Sequence, residues 1–485
     1  MKLNELLKGV TLLNNIDNYI YDLPIHGLAD SSQEVNEGFL FVAIKGFKED
    51  GHKHIQHAIQ QGAAAIVGEQ DITDLSVPYL QVSNTRIALG VMAKNFYRDP
   101  ASRKIMIGIT GTNGKTTTSY LIKHLLEQNG ISCSVMGTIQ NIVNNASIKS
   151  ANTTPSSLIL EQLLALSNDE AVVMEVSSHG LTQHRIEGIE FDLCLFTNLH
   201  HEHLDYHGSM DNYFEAKSVL FDHLKPGGTA IINIDDQWGE KLNHKLLEKG
   251  VNVCSIGRRP ESSLQIASID MAHSAVHFRD PHETILLSPM AGIHNIYNSM
   301  MAYASALTLG VPKDAIHRTI ANFEGVEGRF ETSKTSTGAV VIVDYAHTPD
   351  AVYHCLTTAK ESGAKRIVHI FGFRGDRDTT KRKEMIEITS RISDRFIITT
   401  DDLNSVSAQE MQKMSSDFVE QYGNNKGSVL MDRTVAIQQA ISQSSAGDWI
   451  VITGKGHEKY SHDFQLPTDS DKETVRYSLN GSSKE

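Results

Sequence analysis

Cysteine is scarce in this chain: four in 485 residues, Cys133, Cys194, Cys254 and Cys355, with no C-x-x-C spacing. That argues against a disulfide framework and for reduced thiols packed in apolar, strand-like runs. Long apolar runs are missing as well. No stretch approaches the roughly 18 residues of a membrane span, and the opening "MKLNELLKGV" has no apolar signal core, so a soluble cytoplasmic protein with no membrane partner is expected. Positive charge is in deficit, with 44 Lys and Arg against 58 Asp and Glu and a formal net charge of −14. Nucleic acid and anionic lipid would both be repelled. No internal repeat or low-complexity tract breaks the chain.

What is present is a long globular composition, 40% apolar and 21% charged, and about 100–200 residues per domain suggests three domains. The first carries "FLFVAIKG" (39–46), a helix with Ile55, Ala58 and Ile59 on one face, "AAAIVGE" and "PYLQV". It ends at the polar linker "RDPASRK" (98–104). From Ile105 apolar strands alternate with amphipathic helices, and the alternation restarts after Gly328-Arg329-Phe330 with "VVIVDYA", "RIVHIFGF", "RFIITTDD", "SVLMD" and "DWIVITGKG". Such βα alternation predicts mostly parallel sheets with ligands at their carboxyl ends. The expected fold is α/β in three domains: a small N-terminal α/β domain (1–100), a central phosphate-loop domain (101–328) and a C-terminal Rossmann-like domain (329–485). The closing "LNGSSKE" reads as a frayed end.

The chemical centre is "GITGTNGKTTT" (108–118), a strand, a glycine turn and the start of a helix. Backbone N–H groups of such a turn and the helix N-terminus face an anion, so residues Gly111, Thr112, Asn113, Gly114, Lys115, Thr116 and Thr117 form a phosphate cradle. The strict pattern places Gly where Ile109 stands, with Gly108 and Gly111 on either side. Lys115 is expected to reach the terminal phosphates of ATP, and Thr116 to place its hydroxyl on Mg²⁺. Glu175 closes an apolar strand, where a carboxylate is paired, metal-bound or facing a site. "TNLHHEHLDYHG" (197–208) gathers His200, His201, Glu202, His203 and His207, without the H-E-x-x-H spacing of a helical zinc site. Lys217 lies in an amphipathic helix, where a lone lysine is ordinarily solvated.

Taken together, GTNGKTTT, NTTP (152–155), EVSSHGL-x-Q-x-R (175–185), TNL-x-x-x-HLD-x-HG, the Tyr-x-x-Ala-Lys helix, GR (328–329), DYAHTPDA (344–351), GDRD (375–378) and GKGHE (454–458) resemble the Mur ligase family, its MurE branch most, over nearly the whole chain. The resemblance implies an ATP- and Mg²⁺-dependent ligase that phosphorylates a carboxylate and lets an amine displace the phosphate. It implies two substrates, a UDP-muramoyl-dipeptide-like acceptor and a free amino acid, and a monomeric enzyme. By the same resemblance Thr116, Glu175, His203 and a carbamylated Lys217 serve the metal ions. Asn295 and Asn298 lie on the adenine side, Arg329 meets phosphate and Asp344 meets ribose. Ser31, Asn152, Thr153, Thr154, Ser177, Gln183 and Arg185 would hold the acceptor, and Arg377, Asp401, Asp402, Asn404, Gly454 and Glu458 the amino acid.

Departures from the family pattern cluster around substrate selection. Diaminopimelate-using members carry Asp-Asn-Pro-Arg where this chain has Asp401-Asp402-Leu403-Asn404, and Asn404 cannot make an arginine's bidentate pair with a distal carboxylate. Asp402 would instead favour a cationic side chain such as lysine or ornithine, and Glu458 is suited to an amine. Asp30-Ser31-Ser32 replaces Asp-Ser-Arg, Glu202 replaces an aspartate, His294 replaces a phenylalanine, and Arg374 stands where a small residue is common. Two other readings follow: the same chemistry on a different carboxylate, or a nucleotide-binding regulator that has lost ligation.

Overall fold

The computed structural model describes residues 1–46, 49–280, 282–376, 379 and 381–481. Each of the three α/β regions is built on its own sheet, four, eleven and six strands wide. In the first, strands Gly27–Ala29, Phe39–Val42, Ala65–Gly68 and Tyr79–Gln81 pair in parallel, in sequence order. The strand at Phe39 is half as long as the apolar run around it. Its core takes in Leu158, from the helix Ser157–Leu166 of the central region, so the two regions share apolar packing.

The middle of the eleven-stranded sheet is parallel, because "IMIGIT", "AVVME" and "FDLCLF" are apolar on both faces and must be covered on both. The strand Ile105–Thr110 lies between Ala171–Glu175 and Phe191–Phe196. Register aligns Ile109 with Glu175 and Thr110 with Phe196, which brings the phosphate loop, Glu175 and Thr197 to one carboxyl edge. Helices Lys115–Glu127 and Ile293–Thr308 pack together over this sheet. Antiparallel additions at both edges, Gln140–Val143 with Ala146–Lys149 and Ala275–Asp280 with His282–Leu287, are not foreshadowed by the βα alternation.

The third sheet has five parallel strands and one antiparallel edge strand, Glu331–Lys334. Val340–Asp344, Asp448–Thr453, Arg366–Phe373 and Arg395–Thr400 end together, which gathers Asp344, Gly454, Arg374 and Asp401 at its carboxyl edge. Leu479 to Gly481 continue the last helix, Asp471–Gly481, and the rest of the closing stretch read as frayed, 482–485, lies outside the described residues. No helix among the described residues is long and apolar enough to cross a membrane.

Candidate active site

Between the central and C-terminal sheets lies a cavity of about 590 Å³. Its floor is the phosphate loop. Gly111 and Gly114 have φ of 143° and 89°, and a Cβ at either would sit 1.9 Å from Thr197 Oγ1 or 2.4 Å from Asn298 Oδ1, so conformation and space both demand glycine. The Asn113 amide donates to Asn198 Oδ1 (2.9 Å), Thr112 Oγ1 accepts from the His200 amide (3.0 Å), and Thr117 is buried in the helix's first turn. Lys115 Nζ folds back onto the carbonyls of Gly111 and Thr112, at 2.7 and 2.8 Å. Burial pulls its pKa down against the pull of Glu202 and Glu175.

Glu175, 1% exposed, is the hub of the site. Its carboxylate accepts from Thr116 Oγ1 (2.9 Å), Thr138 Oγ1 (2.8 Å) and the Thr138 amide (3.1 Å). Lys217 is buried rather than solvated: Nζ donates to the Gly111 carbonyl (2.9 Å) and lies 4.7 Å from the Tyr213 ring centroid. Burial, with the nearby Lys115 charge, holds its pKa well below the usual lysine value. Burial favours the neutral amine, the form that can capture CO₂. His203, at φ 55°, turns toward the same corner, Nε2 3.8 Å from Glu202 Oε2, and burial lowers its pKa. Among the described residues no three His, Cys, Asp or Glu side chains form a metal centre by themselves. The hydroxyl and carboxylate of Thr116 and Glu175 are nonetheless the hard oxygen donors that Mg²⁺ takes when phosphate and water complete its shell.

The residues expected to hold the acceptor adjoin this hub. Thr153 Oγ1 is 3.1 Å from Thr138 Oγ1, and Thr154 Oγ1 donates to the Glu175 carbonyl (3.0 Å) while accepting from the Ser177 amide (2.9 Å). Arg185 donates to the Thr154 carbonyl (2.5 Å) and Gln183 Oε1 (2.9 Å). Asn152 is exposed, and its carbonyl accepts from Ser150. Ser31 lies beside Asp30, on which the charges of Arg86 and Arg185 act, so the first region faces this strip. Burial raises the Asp30 pKa.

Asn295, Asn298 and Asp344, expected to meet the nucleotide, line the cavity together with His294. Asn298 Oδ1 accepts from Thr118 (3.3 Å) and its amide donates to Asn295 Oδ1 (3.2 Å). Asp344 accepts from the amides of Phe330 (2.6 Å) and Ala346 (2.7 Å), and burial raises its pKa. Burial brings His294 down to about 4, keeping it neutral. Three contacts tie the C-terminal region to the loop: Arg329 Nη2 to Thr116 Oγ1 (3.3 Å), Asn113 Nδ2 to Asp350 Oδ2 (3.0 Å) and His347 Nε2 to Glu202 Oε1 (3.0 Å). Burial alone would raise the Glu202 pKa, but His347, His203 and Lys115 outweigh it and hold the group low.

The amino-acid residues are arranged otherwise than the sequence suggests. Lys455 Nζ engages Asp402 Oδ1 at 2.5 Å and lies 3.4 Å from Asp401 Oδ1, so Asp402 offers no free acid to a cationic side chain. Asn404, at φ 50°, donates to the Gly375 carbonyl (2.7 Å) and serves the loop, not the cavity. Glu458 is paired with Arg374 and accepts from Tyr345 OH (3.1 Å), and Gly454, at φ 110°, offers its carbonyl to Arg374 (3.0 Å). Arg377 lies outside the described residues. Sequence reasoning missed Thr138, Asp350 and Lys455, which act through contacts that only the fold creates. Thr138 lies just past the apolar strand Cys133–Met136, as Glu175 lies at the end of its own, the one signal that pointed to it.

A glycine phosphate loop, a buried lysine and a row of threonines around one carboxylate, set between α/β domains, are the layout of a nucleotide-dependent enzyme. Residues 24–97 match the catalytic domain of the Mur ligase family, 109–306 the Mur ligase middle domain and 328–456 the Mur ligase glutamate ligase domain. UDP-N-acetylmuramoyl-L-alanyl-D-glutamate–2,6-diaminopimelate ligases of Syntrophomonas wolfei and Clostridium botulinum are each 38% identical over 95% of this chain and 95% of their own length. A solved structure of a ligase with that name aligns over 100% of both chains at 26% identity and a TM-score of 0.70. The chain belongs to the Mur ligase family.

Proposed function

We propose that this protein is the ligase that joins an amino acid to the free carboxylate of UDP-N-acetylmuramoyl-L-alanyl-D-glutamate, through an acyl phosphate made with ATP, in cytoplasmic peptidoglycan precursor synthesis. One observation carries the reading: Thr116, Glu175, Thr138 and Thr153 form a continuous chain of contacts of 2.9, 2.8 and 3.1 Å from the phosphate loop to the acceptor loop. A nucleotide sensor has no need of an acceptor strip joined to its phosphate site. Transfer between two bound substrates does.

In this reading Lys115 leaves the carbonyls of Gly111 and Thr112 for the terminal phosphates, and Arg329 spreads charge over the same group from the other domain. Arg185 and Gln183 hold the acceptor so that its carboxylate oxygen meets the γ-phosphorus and ADP leaves. The amine of the incoming amino acid then attacks the acyl carbon, loses a proton, and phosphate departs. Magnesium would be held by Thr116, Glu175 and His203, with Lys217 adding a carboxylate oxygen once carbamylated, and when bound it neutralises the transferring phosphoryl group. Asp344, Asn295 and Asn298 orient the nucleoside. The contacts of Arg329, Asp350 and His347 across the domains exclude water that would hydrolyse the acyl phosphate.

Purified protein given ATP, Mg²⁺, the UDP-muramoyl dipeptide and a panel of amino acids is expected to release phosphate only when both acceptor and amino acid are present, and to yield a conjugate of the corresponding mass. Release with other carboxylates but not with this acceptor would move the chain to a different substrate. ATP binding with no release for any pair would make it a regulator.

A further inference from the structure

Arg374 is the first residue after the strand Arg366–Phe373, at the carboxyl edge of the third sheet, and it lines the cavity between the central and C-terminal sheets. Its side chain is 17% exposed. Nη2 donates to Glu458 and to the Gly454 carbonyl, and Nε lies 3.5 Å from Asp401 Oδ2 with no hydrogen-bond partner among the described residues. Around it the acids are unequally available. Asp401 (1% exposed) sits against Lys455 (2% exposed), Asp402 is held by the same lysine, and Asn404 is spent on the Gly375 carbonyl. Glu458 is 29% exposed against 23% for Asp402, and its ion-pair partner is Arg374 itself.

We propose that the Arg374–Glu458 pair is an internal stand-in for the distal end of the substrate amino acid, and that Arg374 selects an amino acid bearing a second ammonium and a second carboxylate on one distal carbon. The proposal rests on the ligase reading above. On binding, the substrate's distal ammonium takes Glu458 and its distal carboxylate takes Arg374, so one ion pair becomes two and no charge is left buried alone. Lysine or ornithine brings an ammonium only. It can take Glu458, but it strands Arg374 with Asp401 as its remaining acid. A side chain with a carboxylate only takes Arg374 and leaves Glu458 with the Tyr345 hydroxyl. The guanidinium thus supplies from another strand end the charge that Asn404 lacks. A buried group left short of its charge partner by the wrong ligand is what makes such sites selective.

The test compares meso-2,6-diaminopimelate with lysine, which lacks just the distal carboxylate, by phosphate release with ATP, Mg²⁺ and the UDP-muramoyl dipeptide. Calorimetric binding of each amino acid, with a non-hydrolysable ATP analogue and the acceptor present, accompanies it. Wild type is expected to prefer the diacid by about 100-fold or more in kcat/KM. Arg374→Gly is expected to erase most of that preference through a higher KM for the diacid, and Arg374→Lys to restore part of it. Arg374→Gln, of similar size, gives the same readout should the glycine variant fold poorly. A wild-type preference for lysine, or an unchanged preference in Arg374→Gly and Arg374→Gln, overturns the assignment and leaves the ligase standing. No turnover with any amino acid, together with no acceptor binding, overturns both.

Discussion

At the scale of single residues the account turns on buried charge. Lys217 has its amine in a nearly closed space against the Gly111 carbonyl and the Tyr213 ring. Lys217→Met is therefore expected to remove more than about 10³-fold of phosphate release, the scale of losing a transition-state charge partner. Thermal unfolding should shift little, because an amine that is costly to bury goes with it. A ¹³C resonance in the carbamate region under labelled bicarbonate, absent from Lys217→Met, would report the modification. Glu161 is the opposite case, a carboxyl without catalytic work. It is 0% exposed in the helix Ser157–Leu166, neither oxygen has a hydrogen-bond partner among the described residues, and Lys94 and Asp99 are the charges that act on it. Burial raises its pKa to about 8, with Asp99 adding to the rise and Lys94 opposing it. The folded state thus holds this proton more tightly than the unfolded chain, with its ordinary value near 4.5. Stability from this site is complete below about pH 4.5 and is lost as pH rises toward 8. Glu161→Met is expected to flatten that slope, raising the denaturant midpoint at pH 8 by about 1–3 kcal/mol equivalent and less at pH 5. An unchanged pH dependence would show that the carboxyl finds a partner.

At the scale of elements, the phosphate loop works because two glycines let strand, loop and helix pass close to Thr197 and Asn298. Gly114→Ala places a methyl group 2.4 Å from Asn298 Oδ1 at a φ of 89°. It should raise the KM for ATP at least about tenfold while far-UV circular dichroism stays unchanged. This element was legible in the sequence since the strand, glycine turn and Lys-Thr helix start are local. So was the parallel alternation of the third sheet, whose apolar runs match its five parallel strands almost one for one. The edge hairpins were not seen, although Asn144 and Asn145, at φ 52° and 63°, are the two-residue turn that a hairpin requires. Continuous apolar runs do not reveal an edge strand such as Ala146–Lys149, whose four residues are all exposed. The amino-acid pocket misled for a different reason. Asp402 and Asn404 carry the right chemistry in the right stretch, but Lys455 and Gly375, distant in sequence, use it first. The same long-range pairing turned Arg374 from an oddity of the sequence into the charged face of the pocket.

At the scale of the whole molecule, the site exists when the central and C-terminal sheets face each other. Asp350 joins them by accepting from Asn113 and facing His200 at 3.5 Å, and His347 does so through Glu202. Asp350→Ala should lower kcat more than it weakens nucleotide binding, by about 10-fold or more, because the nucleotide's central-domain contacts survive while closure does not. Small-angle scattering with a bound ATP analogue would show the variant more extended than wild type. Equal scattering and equal kcat would place the closing contacts elsewhere.

In the proposed reaction this cavity transfers a phosphoryl group to the acceptor's carboxylate before the amide forms. The direct measurement is ligation with acceptor labelled with ¹⁸O in that carboxylate, followed by mass analysis of the inorganic phosphate. One ¹⁸O is expected in the phosphate for each amide bond made. Unlabelled phosphate alongside amide product would contradict it.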